Sequence, residues 1–117
     1  MLQGILIKES LEDVSVIESL SVTDTKVVTI DNPAEGQSPT WTLVYFEVSQ
    51  QQVEEVAAKL SKALAPGKWF IDIKSDTDVY VVFLNKVFHY KKGDMIVKQA
   101  AIDHALSIGI PESQLGW

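Results

Sequence analysis

Two apolar segments, Val79–Leu84 and Val87–Lys91, are separated only by Asn85-Lys86. β-Branched and aromatic residues at this density favour extended backbone, and Asn in a two-residue connection favours a tight hairpin turn. Such a turn pairs Leu84 with Val87, Phe83 with Phe88 and Val81 with Tyr90. Side chains alternate across a strand, so Val79, Val81, Phe83, Phe88 and Tyr90 share one face. Tyr80, Val82, Leu84, Val87 and His89 share the other. Both faces are apolar, whereas a hairpin with one wet face alternates apolar and polar residues. Each face therefore needs a cover: a helix, a long loop or another subunit.

The flanking segments supply candidate covers. Residues 49–64 read as an amphipathic helix, with Val53, Val56, Ala57, Leu60 and Leu64 on one stripe and Pro66-Gly67 as the stop. Ser49 and Gln52 stand in capping-box positions, and Glu54 and Glu55 suit the positive end of the helix dipole. A last helix over 95–108 is capped by Gly93-Asp94, with Ile96, Val97, Ala100, Ala101, Ala105 and Ile108 on its buried side. Gly109 ends it, Ile110 fits the hydrophobic position after such a cap, and Pro111 follows. Trp117 is expected to find a docking place.

Upstream, Gly4–Ile7 reads as a strand. Leu11, Val14, Ile17 and Leu20 mark a short helix over 11–20, with Ser10 as N-cap and Asp13 in the capping-box place. Ser21–Ile30 is rich in Val and Thr and reads as a strand. DNPAEGQSPT at 31–40 is a loop, either a flap over a site or a long hairpin connection. Trp41–Val48 and Lys68–Lys74 complete the strands. The order β-α-β-β-α-β-β-β-α predicts an α+β two-layer sandwich with a mostly antiparallel sheet. Its expected topology is a ferredoxin-like core with an added hairpin and C-terminal helix, in one domain over 1–117.

Composition removes several function classes. The chain of 117 residues has no arginine and no cysteine. It therefore lacks a guanidinium fork for phosphate or guanine, a disulfide and a thiolate nucleophile. Its net charge of −6, with scattered lysines, argues against nucleic acid and against anionic membranes. The longest apolar run, Val79–Leu84, is far too short to span a bilayer. MLQGILIKES has no basic segment before its apolar stretch and does not read as a secretory signal. A cytoplasmic location is the expectation.

The runs Trp41–Val44, Pro66–Phe70, Val79–Phe83, Tyr90–Asp94 and Gly109–Leu115 resemble a group of small, uncharacterised prokaryotic single-domain proteins. The resemblance covers most of the chain. It implies a compact single domain and brings no activity, cofactor or catalytic residue with it.

Candidate chemistry is sparse. Only His89 and His104 titrate near neutrality at ordinary values. His89 lies in an apolar strand and His104 reads as a helix-surface residue. Asp72 shares a face with Phe70 and Lys74; it could form a carboxylate pair with Glu47, or pair with Lys74. Asp76 and Asp78 flank Thr77 in a D-x-D spacing that better fits a turn than a cation site. No metal or cofactor site is expected.

Two readings follow. The first is a non-enzymatic interaction or ligand-binding module for an unknown protein or small-molecule partner. It would homodimerise through its sheet, with Tyr80, Val82, Phe88, Trp41 and Trp69 at the interface. The second is a small metal-independent enzyme acting on a neutral or cationic metabolite, with Glu47, Asp72 and His89 as acid/base groups beneath the 31–40 loop.

Overall fold

The alternation in LQGILI buries Leu2, Gly4 and Leu6 and turns Gln3 and Ile5 outward, so this segment forms a two-faced strand. The computed structural model describes residues 1–117. The strands are β1 (Leu2–Ile7), β2 (Ser21–Thr29), β3 (Thr40–Val48), β4 (Ile71–Lys74), β5 (Asp78–Phe83) and β6 (Lys86–Lys91). They form one sheet in the order β2-β3-β1-β4-β5-β6, and every neighbouring pair is antiparallel. The α+β architecture with an antiparallel sheet is as expected.

Helix α1 (Val53–Ala63) packs Val53, Ala57 and Leu60 on one face of the sheet, against Leu2, Leu6, Phe46, Ile71, Ile73, Tyr80 and Val82. It starts later than expected. Ser49 contributes its carbonyl to a turn, accepting from the amides of Gln52 and Val53, and no side chain caps the helix. Helix α2 (Met95–Ser107) opens on Asp94, whose carboxylate accepts from the amides of Ile96 and Val97. It closes with Gly109 at φ 90°; the Gly109 amide donates to Leu106 and the Ile110 amide to Ala105. This is the Schellman arrangement, and Ile110 is buried as its hydrophobic member.

Both faces of β5 are covered by the chain itself, while Val87 on the outer strand β6 is 38% exposed. Tyr80 and Val82 enter the core beneath α1. Val79, Val81, Phe83 and Tyr90 form a second core with Ala105 and Ile110, closed by Val97, Leu115 and Trp117. Trp117 docks edge-on against Phe70, with ring centroids 5.8 Å apart.

The hairpin turn lies one residue earlier than expected. Phe83 pairs with Lys86, Val82 with Val87 and Val81 with Phe88. Asn85, at φ 59°, occupies the left-handed position that Asn tolerates better than Lys. The Ser61 hydroxyl donates to the Phe83 carbonyl at 2.6 Å, and the Asn85 amide donates to the Ser61 carbonyl. These bonds clamp the turn to α1. Moving the turn by one residue changes each partner by two, so every side chain keeps its expected face.

Three further expectations change. Residues 11–20 are not an α-helix: Val14–Ser19 forms a 3₁₀ segment, with the Asp13 carboxylate accepting from the Ser15 amide and hydroxyl. Three β-branched residues and two serines within six positions disfavour continuation as α-helix. Lys68–Phe70 lies outside the ladder, since β4 begins at Ile71. On α2, Ile96 is 85% exposed and Ala100 is also exposed. The helix approaches the sheet on Val97, Ala101 and Ala105, and the residue before each of these points about 100° away.

Candidate functional site

Across β3, β1 and β4 the residues that alternate with the α1-facing core project from the opposite face. They are Leu43, Tyr45 and Glu47 on β3, Gln3 and Ile5 on β1, and Asp72 and Lys74 on β4. Ile5 is 36% exposed at the centre of this face. Beside it lies a groove of about 310 Å³ lined by Gln3, Ile5, Thr23, Tyr45, Asp72 and Lys74. The Lys74 ammonium lies 3.1 Å from the Asp72 carboxylate, and Lys26 sits 5.5 Å from the centroid of the Tyr45 ring. At the margin of the second core, the Tyr90 hydroxyl is buried without a hydrogen-bond partner. Burial raises the Tyr90 pKa, as does the Asp72 charge.

A second polar cluster lies on the α1 side of the sheet. Asp78 is 6% exposed and accepts from the Thr77 hydroxyl at 2.6 Å; its other oxygen lies 2.8 Å from His89 Nε2. Lys91 approaches that second oxygen at 3.6 Å. The His89 ring stacks on Tyr80 with centroids 4.0 Å apart and 2° between the planes. The imidazole is thus fixed by a buried carboxylate on one edge and a phenol ring on its face.

The three acid/base candidates do not converge. Glu47 and Asp72 belong to the open face, whereas His89 shares the opposite face with Tyr80. Asp72 is ion-paired with Lys74, and His89 is hydrogen-bonded to Asp78. This geometry does not assemble the expected catalytic group.

The residues expected at a dimer interface are also dispersed. Tyr80, Val82 and Trp69 are buried within the chain. Trp41 packs edge-on against Trp69 at 5.9 Å. Phe88 packs against Phe83 at 5.8 Å. Of the hairpin that suggested an interface, β5 is therefore satisfied internally on both faces.

Asp78 and Thr77 escaped the sequence reading because the D-x-D pair looks like a plain turn. Pairing Tyr80 with His89 and Asp78 with Lys91 places Asp78 diagonal to His89, and only the hairpin register reveals it.

This cluster predicts an acid transition. Hydrogen bonds from Thr77 and then His89 hold the Asp78 carboxyl at about 2, below its ordinary 3.8. The unfolded chain takes up this proton first as pH falls. The stabilisation is complete above pH 3.8 and disappears as pH drops through about 2. Urea denaturation between these limits should show wild type losing stability faster than Asp78→Asn. Parallel losses in the two proteins would contradict the assignment.

Compared with protein-family models, curated proteins and solved structures, the chain matches none of them.

Proposed function

We propose that the chain is a non-enzymatic binding module that pairs with a second copy of itself through the open face of its sheet. The observation that carries this reading is the uncovered surface of β3, β1 and β4, where Ile5, Leu43 and Tyr45 are flanked by the Asp72–Lys74 pair and by Lys26. An apolar centre with a polar rim is the usual anatomy of an interface. A twofold axis through such a patch brings identical surfaces together, so the apolar centres meet. The interface moves accordingly from the hairpin residues Tyr80 and Val82 to Ile5 and Tyr45.

A ferredoxin-like core supports this reading by fold analogy. From β4 outward the strands run β4-β1-β3-β2, all antiparallel. The β3-to-β4 crossover is α1. The β1-to-β2 crossover is the 3₁₀ segment, whose Val16, Ile17 and Leu20 pack on the same core as α1. The β5–β6 hairpin and α2 extend this core beyond β4.

Light scattering over a wide concentration range tests the assembly. Wild type should rise from the 13.0 kDa of one chain to twice that mass, while Ile5→Asp and Tyr45→Asp remain folded monomers. A wild-type mass that stays at one chain throughout would overturn the dimer.

A further inference from the structure

We propose that the cleft between the 31–40 loop and α2 binds a small organic anion with an apolar body, of the aromatic monocarboxylate class. The loop is held over this cleft by side-chain bonds. Gln37 and Gln114 exchange reciprocal amide hydrogen bonds at 3.0 and 2.9 Å. The Gln37 amide also donates to the Lys68 carbonyl at 2.7 Å, while its oxygen accepts from the Ala34 amide at 2.8 Å. Trp41 Nε1 donates to the Ser38 carbonyl at 2.8 Å. The loop tip, Glu35-Gly36, thereby faces Leu84, His104 and Ile108 across a cleft of about 500 Å³. Small-molecule sites occupy about 300–1,000 Å³ and combine apolar walls with a few polar groups.

The polar groups here lack partners. The ammonium ions with a carboxylate within salt-bridge reach are Lys59, Lys74 and Lys91, and Lys68 is not among them. Its stem runs along Gly109, where an added Cβ would come within 2.8 Å of Lys68 Cε. His104 stands edge-on to Phe83 at 4.6 Å and tilted to Phe88 at 5.7 Å, and its ring nitrogens have no hydrogen-bond partner in the protein. Burial, then the nearby Lys86 charge, lowers its pKa. Lys68 is the lysine that lines the cleft, and Glu35, an exposed residue of the loop tip, is the acid that lines it. An anion would pair with Lys68 and favour the protonated form of His104, while an aromatic body would lie against Leu84 and Ile108.

Benzoate, benzamide and benzylamine are the probes, followed by NMR of the full chain. Benzoate should shift the Gly36, His104 and Ile108 resonances saturably and raise the His104 pKa. Benzamide, of the same shape without charge, should bind more weakly and leave that pKa in place. Lys68→Met retains the stem over Gly109 and should weaken benzoate about tenfold, as loss of one charge-assisted contact implies. Lys62→Met on α1 should leave the affinity unchanged. Absence of saturable shifts, equal binding of benzamide, or preference for benzylamine would overturn the proposal. The wild-type comparison of the three probes decides the matter even where a variant folds poorly. The cleft is separate from the open sheet face, so monomeric behaviour leaves this test intact.

Discussion

Val82→Asp should leave the chain without a cooperative thermal transition by circular dichroism. Val82 is 0% exposed, pairs with Ile71 across the β4–β5 ladder and lies in the core that includes Leu60 and Phe46. An aspartate there has no cation to meet. Burying an unpaired charge, or neutralising it, costs several kcal/mol, against a total stability of about 5–15 kcal/mol for a typical domain. Tyr80→Asp should have a similar result and would also remove the ring stacked on His89. Ile5→Asp should melt cooperatively, because its side chain meets solvent. The contrast separates a hairpin buried within one chain from one buried between chains. A Val82→Asp protein that melts like wild type would mean that α1 does not cover this strand.

The hairpin shows how far the sequence can be read. That both faces needed cover followed from composition and the two-residue period of a strand, and the face of each side chain survived the shifted turn. The identity of the cover did not follow, because periodicity places residues on a face without saying which element lies above it. Ile96 and Ala100 illustrate the limit. In a helix apolar almost all round, the pattern selects no direction, and the small residues Ala101 and Ala105 decide the approach through close packing. The 11–20 segment had helical spacing, but Val14, Val16 and Ile17 with Ser15 and Ser19 weaken a helix locally, and spacing alone does not register that. The chemistry was harder to see. Asp78–His89, Lys68–Gly109 and Gln37–Gln114 are each set by tertiary register or loop docking. His104 read as a surface residue until Phe83 and Phe88 were placed beside it. Asp72 was found on its expected face with Lys74, because a single strand's alternation fixes that relation.

Gly4 and Phe46 should prove strongly coupled in a double-mutant cycle. They are direct cross-strand partners, and Phe46 is 1% exposed. The glycine leaves a place on β1, between Leu2 and Leu6, for the ring to lie against the backbone. A Cβ at Gly4 would stand 2.6 and 2.7 Å from Phe46 Cε2 and Cε1, with Cζ nearer still. The ring cannot swing away cheaply, because the core around it is close-packed. Gly4→Ala should therefore destabilise by about 1–3 kcal/mol or more, the range for overpacking a filled core. Phe46→Ala should cost about 3–5 kcal/mol through lost burial and the cavity left behind. Once the ring is gone, the added methyl meets open space and relieves the entropic penalty of glycine in a strand, about 0.5–1 kcal/mol. Gly4→Ala should then be neutral or stabilising in the Phe46→Ala background, reversing its sign. Urea denaturation of the four proteins reads this directly. Equal destabilisation by Gly4→Ala in both backgrounds would show that the glycine serves the β1 backbone rather than the ring.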